Sequence, residues 1–314
     1  MSTYYGDDAI VYLAEKSQQI DIKSSSHWNK YHADFSFKNG KFSGIEGFGS
    51  NENKYTGLRK IAHSLLQIPF NNMGKKFSDF NAVDNIAKNV LHKQNKGYSP
   101  DVLRQVISLA YLNDKKVVTK GGLSCVIGDG FATMTSLLLK STRQRVILVN
   151  LSKTLLVDLW YLKMTLGDEF ATDVALITSK DCLLDALSET ENRPSVIAIE
   201  AENHHLIQLC PIDLTINVAS MQEMNPEVVA EYFTDISIAA QKHSGYFYCC
   251  NREEKILPDG TLVKFKDYPL HLMSEILVDE LCPWHLKYYN IKPPFYHNYD
   301  GVIRHRLAKS SSIN

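Results

Sequence analysis

The sequence has almost no net charge, no long apolar run and no cysteine pairing pattern, and each shortage removes a class of protein. Lys and Arg number 34 against 35 Asp and Glu, a formal net charge of -1 over 314 residues. No global basic field exists to hold a polyanion, so a nucleic-acid partner is not expected. No apolar stretch approaches the roughly twenty residues of a helical membrane span. The opening segment MSTYYGDDAIVYLAEKSQQ lacks the basic start and apolar core of a secretory signal, so the expected location is the cytoplasm. The six cysteines, Cys125, Cys182, Cys210, Cys249, Cys250 and Cys282, form no C-x-x-C pair. They read as reduced core thiols, and no metal site is expected. No GxSxG, Walker A, HExxH or EF-hand string occurs, which removes the corresponding hydrolase, P-loop, zincin and calcium-loop chemistries.

What is present is ordinary globular material, 44% hydrophobic and 22% charged, in two compositional parts. Residues 1–115 are rich in Lys, Asn, Ser, Phe and Tyr and read as a mainly helical cap, with helices at Gly57 to Leu66 and Asn81 to His92. A further helix opens at Ser99-Pro100-Asp101, where Ser99 caps, Pro100 suits the first turn and Asp101 complements the positive helix end. Residues 116–314 open with short apolar strands alternating with helical stretches, the signature of a parallel sheet covered on both faces. Strands are expected at Leu123 to Ile127, Val146 to Asn150, Val174 to Ile177, Val196 to Glu200, Leu214 to Ala219 and Gly245 to Cys250, and beyond Asn251 the chain reads as irregular and aromatic.

Three stretches carry chemistry. In SCVIGDGFA a strand runs into a turn at Gly128-Asp129-Gly130 and then a helix, so backbone can approach a ligand and the helix end offers N–H donors to an anionic group. About twenty residues later Asn150 ends the next strand, where nucleotide-binding sheets place a group for ribose hydroxyls, more often a carboxylate. In LTINVASMQEMN, Asn217, Ser220, Gln222, Glu223 and Asn225 cluster past a strand end, beyond what capping the helix at Pro226 requires.

On these residues the sequence resembles the sugar O-methyltransferases, S-adenosylmethionine-dependent enzymes of bacterial glycan and surface-polysaccharide clusters. The matching stretches are VIGDGFA, NVASMQEMNPEVVAEYF, CCNREEKILPDG, DELCPWH and YDGVIRHRL, in order over roughly residues 120–307. The resemblance implies an α/β fold, a Rossmann-like class I methyltransferase sheet behind the helical cap. It implies S-adenosylmethionine as cofactor, bound at Gly128, Asp129 and Gly130 and near Asn150, Leu151, Asn203, His204, Asn217 and Ser220. An acidic residue common in the family's glycine motif is Val126 here, and its last glycine is Ala132.

Methyl transfer to a hydroxyl needs in-line alignment and a group to take the proton. The candidates are Glu223, then His285 and His305. Gln222, Asn251, Arg252 and the aromatic face of Trp284 suit a sugar. The expected function is methylation of a sugar hydroxyl on a nucleotide sugar or glycan residue, with the cap closing over the acceptor. Methylation of another small metabolite at nitrogen or a phosphate-linked oxygen is the alternative. A non-catalytic partner subunit is a third reading, supported by Val126 and Asn150. Aromatic density near the C-terminus is compatible with a homodimer and equally with ordinary packing.

Overall fold

The structure, a computed structural model, describes residues 3–45, 47–48, 53–188 and 193–310. Among the described residues nine strands join one sheet: β1 (Thr3–Tyr5), β2 (Leu123–Ile127), β3 (Arg145–Asn150), β4 (Val174–Ile177), β5 (Val196–Glu200), β6 (Leu214–Val218), β7 (Gly245–Arg252), β8 (Glu275–Leu281) and β9 (Ile303–Ser310). Their order is β1-β4-β5-β3-β2-β6-β7-β9-β8. Strands β2 to β7 pair in parallel, as their near-continuous apolar content requires, because a parallel sheet is buried on both faces. The expected strands stand at or within two residues of their places. With helices on both faces the fold is an α/β, Rossmann-like sheet, extended at both edges by antiparallel strands.

Alternation along each strand divides the core. Val126, Leu148, Ile216, Tyr248 and Cys250 face one side, beneath the helices α1 (Gly6–Lys16), α3 (Pro100–Asp114), α4 (Thr133–Thr142) and α5 (Ser152–Leu166). Cys125, Ile147, Phe247 and Cys249 face the other, against α6 (Pro226–Lys242). The short α2 (Ser26–Tyr31) carries Trp28, which packs with Phe48, Phe131 and Leu151 over the ends of β2 and β3. Ser99 caps α3 as expected, its hydroxyl accepting from the Val102 N–H at 3.3 Å.

Two readings change. The segment after Asn251 supplies β8 and β9 rather than an irregular tail, and β9 is inserted antiparallel between β7 and β8. Its charges hid the strand: Arg304 and Arg306 both reach Asp279 across the pair, at 3.1 and 2.7 Å. His204-His205 lie in a 3-10 segment, Ala201–Leu209, not in a strand. The chain start also joins the sheet, since β1 pairs with β4.

Candidate active site

Successive strands leave β2 through β3 on one side and return to β6 on the other, and beyond their carboxyl ends a crevice forms, as in other open α/β sheets. Here it is a cleft of about 160 Å³, walled by the glycine turn, Asn150, Ser220, Gln222, Glu223, Arg252 and His285, with Trp28, Phe48, Arg104 and Tyr299 closing it.

The glycine turn is built by the protein's own contacts. Gly128 has φ +73°, and a Cβ there would meet Ser220 Oγ at 1.9 Å; Gly130 has φ +93°, and a Cβ would meet the Phe48 carbonyl oxygen at 2.2 Å. The helix N-terminus expected to receive an anion is already occupied. Asp129 accepts from the Met134 and Thr135 N–H groups at 3.0 and 2.7 Å. Asp158, on α5 and absent from the sequence candidates, accepts from the Ala132 N–H and from Asn150 Nδ2, each at 2.8 Å. Burial raises the pKa of both carboxyls, and Asp129 raises that of Asp158 further. With the turn's N–H donors already taken and both carboxyls pushed towards their neutral form, the turn offers little to a phosphate.

The polar cluster after β6 divides between cleft and scaffold. Asn217 Nδ2 donates to the Ile127 carbonyl at 2.9 Å, and its Oδ1 accepts from the Met221 N–H and from Asn251 Nδ2. Asn251 Oδ1 in turn accepts from the Gln222 N–H, and Gln222 Oε1 from the Arg252 N–H at 2.7 Å. Asn217 and Asn251 are therefore fully buried ties between strand ends, outside the cleft wall. Buried amides of this kind are retained because an unpaired one is costly.

The proton-acceptor candidates separate as well. Glu223 reaches the cleft, with Lys255 Nζ at 2.7 Å and His27 Nε2 at 3.4 Å. Burial pushes its pKa up, but these two partners outweigh it and hold the carboxylate below the usual range; the neighbouring Arg252 pairs with Asp300 at 3.0 Å. His285 also borders the cleft, kept neutral by burial, by Arg104 and by His305. His305 is fully buried among Tyr248, Tyr111 and Trp284, away from the cleft. Trp284 is likewise core, its Nε1 donating to Ser108 Oγ at 3.0 Å, so the aromatic residues lining the cleft are Trp28, Phe48 and Tyr299. His204 is bound to Asp235 and Glu231 and packs on Tyr232. Neither it nor Asn203 borders the cleft or the adjoining slot.

That slot, about 20 Å³ between Leu151, Ala201, Val228 and Tyr232, continues the cleft past Asn150 and is roofed by Ser25 and Trp28. Ser25 Oγ donates to the Glu223 carbonyl at 2.5 Å, pinning α2 there. In polar character the turn and slot fit S-adenosylmethionine. In volume they do not while Trp28 and Phe48 stay in place, since small-molecule sites occupy roughly 300–1,000 Å³.

No family model matches the chain, and no curated protein matches it. Solved structures that resemble it include a protein assigned as a sarcosine dimethylglycine methyltransferase in Galdieria sulphuraria, 8% identical, covering 73% of this chain and 99% of that one with a TM-score of 0.42. Another is an S-adenosylmethionine-dependent methyltransferase of Clostridium acetobutylicum, 10% identical, covering 65% and 90%, with a TM-score of 0.36. A third belongs to echinomycin biosynthesis, in the conversion of a disulfide bond into a thioacetal group, 9% identical, covering 66% and 82%, with a TM-score of 0.40.

Proposed function

We propose that the protein is an S-adenosylmethionine-dependent methyltransferase acting on a hydroxyl of a sugar, carried on a nucleotide sugar or a glycan. The observation that carries the cofactor reading is the pair of buried carboxylates, Asp129 and Asp158, under the glycine turn. They take the backbone donors a phosphate would need, which leaves the turn to a ligand that does not present a phosphate there. Asp158 also supplies, through Asn150, the carboxylate missing from the end of β3, which speaks against the partner-subunit reading. Gly128 to Gly130, Asn150, Leu151 and Ser220 would hold the cofactor, which supplies an electrophilic methyl group when bound.

The acceptor side rests on Gln222, Glu223 and Arg252, with Tyr299 as an aromatic face. Glu223, ionised and fixed by Lys255 and His27, is the group we assign to take the hydroxyl proton. The sugar assignment comes from the sequence resemblance together with this mixture of amide, guanidinium and aromatic walls, which suits hydroxyl-rich rings.

Calorimetry with S-adenosylmethionine and S-adenosylhomocysteine, with ATP and NAD as phosphate-bearing controls, tests the cofactor. Wild type is expected to bind the first two and not the controls, and Val228→Trp, which fills the half-buried slot wall, to lose binding while remaining folded. A folded wild type that ignores S-adenosylmethionine, or prefers ATP, overturns the reading. With a nucleotide-sugar panel, Glu223→Gln is expected to lower methyl transfer ~10²–10⁴-fold with little change in cofactor affinity.

A further inference from the structure

Three side chains behind the cleft wall form a group that methyl transfer does not use. The ligating atoms of Cys250, Cys282 and His285 all lie within 4.8 Å of one another, and the residues are 0%, 0% and 4% exposed. Cys250 projects from β7 onto the sheet face covered by the C-terminal segment. Cys282 follows β8 directly, its N–H donating to the Ile303 carbonyl at 2.9 Å; its carbonyl accepts from the His285 N–H at 3.0 Å, closing a Cys282-Pro283-Trp284-His285 turn that returns the imidazole to the thiol. Trp284, bonded to Ser108 on α3, anchors that turn from outside. His285 Nε2 is buried and has no hydrogen-bond partner among the described residues. An orphaned ring nitrogen of that kind is costly unless something ligates it.

We propose that Cys250, Cys282 and His285 bind one zinc ion. A tetrahedral zinc with ordinary Zn–S and Zn–N lengths sets its ligand atoms ~3.5–3.8 Å apart, so from separations of at most 4.8 Å the cluster needs to contract by no more than about 1.3 Å. Two thiolates and a neutral imidazole around Zn2+ leave no net charge, as a buried site requires, and two protons leave the thiols for solvent on binding. Soft sulfur ligands select zinc over magnesium or calcium. Three protein ligands leave the fourth position to a water, and His285 stands in both the cluster and the cleft wall, so the ion borders the cleft. A ligating His285 is not free to accept a proton, which leaves Glu223 for that role. The site does not depend on the methyl-transfer reading, because its test needs no cofactor.

The full chain, purified under reducing conditions, is measured for metal by plasma mass spectrometry and then reconstituted with Co2+ in place of zinc. The expected result is about one zinc per chain and a thiolate-to-cobalt charge-transfer band with tetrahedral visible bands. Cys250→Ser and Cys282→Ser are expected to lose the band and most of the zinc, and Cys182→Ser, away from the cluster, to keep both. Folded wild type that takes up no zinc or cobalt overturns the proposal, as does a cobalt spectrum without thiolate bands. A Cys250–Cys282 disulfide found by peptide mapping of chain alkylated at lysis overturns it too. Because wild type alone gives the stoichiometry and the spectrum, misfolding of a serine variant does not protect the proposal.

Discussion

Gly128 and Gly130 are held to glycine by the protein itself, whatever ligand they meet. Each has positive φ, and each lies against a neighbour, Ser220 or the Phe48 carbonyl, that a methyl group would strike. Gly130→Ala is therefore expected to destabilise the fold by ~1–3 kcal/mol, seen as a lower urea midpoint before any effect on ligand. Lys96 makes a second residue-scale prediction. Its ammonium is buried over the rings of Phe131 and Tyr161, at 3.3 and 4.0 Å, and burial pulls its pKa from 10.5 to about 7. Between those values the unfolded chain holds one more proton than the folded one, so this group makes stability rise with pH from about 7 to 10.5. Urea titrations from pH 7 to about 8.5, below the range where the buried thiols Cys125, Cys210, Cys249 and Cys250 oppose it, should show the rise in wild type and a flatter curve in Lys96→Met. At this scale the sequence revealed the turn but not its acid: Asp158 sits inside the apolar run TLLVDLW, where a carboxylate reads as a helix surface residue. His285, three places after Cys282, was passed over, since no metal site was expected, and Cys250 meets the two only across the sheet.

The element that governs access is α2 with the Phe48 segment. Trp28 and Ser25 roof the slot, so under the proposed function a cofactor would have to displace them, and part of its intrinsic affinity would be spent on that opening. Trp28→Ala is expected to tighten S-adenosylmethionine binding about tenfold in calorimetry; weaker binding would mean that the indole belongs to the bound site. His32, packed against Trp28, Phe35 and Phe48, has its pKa lowered to about 3 by burial, then by Lys153 and His27. Between about 3 and 6.5 the unfolded segment takes a proton that the folded one refuses, so its docking weakens as pH falls below 6.5. Limited proteolysis between residues 20 and 45 should accelerate at pH 5 in wild type, and much less in His32→Leu. Helix and strand positions in the central sheet were legible because apolar runs and caps are local signals, as at Ser99. Strand β9 was not, because Arg304 and Arg306 gain their partner, Asp279, only across the sheet.

For the whole molecule, the two compositional parts share one core. Ala9, Ile10, Leu13, Val83, Val106 and Leu109 pack in the same cluster as Val126, Leu148 and Ile216 from the central strands, and β1 completes the sheet edge. Unfolding monitored by tryptophan fluorescence and by circular dichroism should give coincident single transitions, and a fragment of residues 116–314 should not fold alone. Two separated transitions would show the parts to be independent. What the sequence determined by itself is the α/β sheet and the glycine turn at its centre, because periodicity and composition are read within a few neighbouring residues. What only the tertiary structure decided is the acid beneath the turn, the tie of Asn217 to Asn251, the pairing of Glu223 with Lys255, and the grouping of Cys250 with Cys282 and His285. Each joins residues distant in the chain, and their chemistry arises from burial and proximity, which no local pattern encodes.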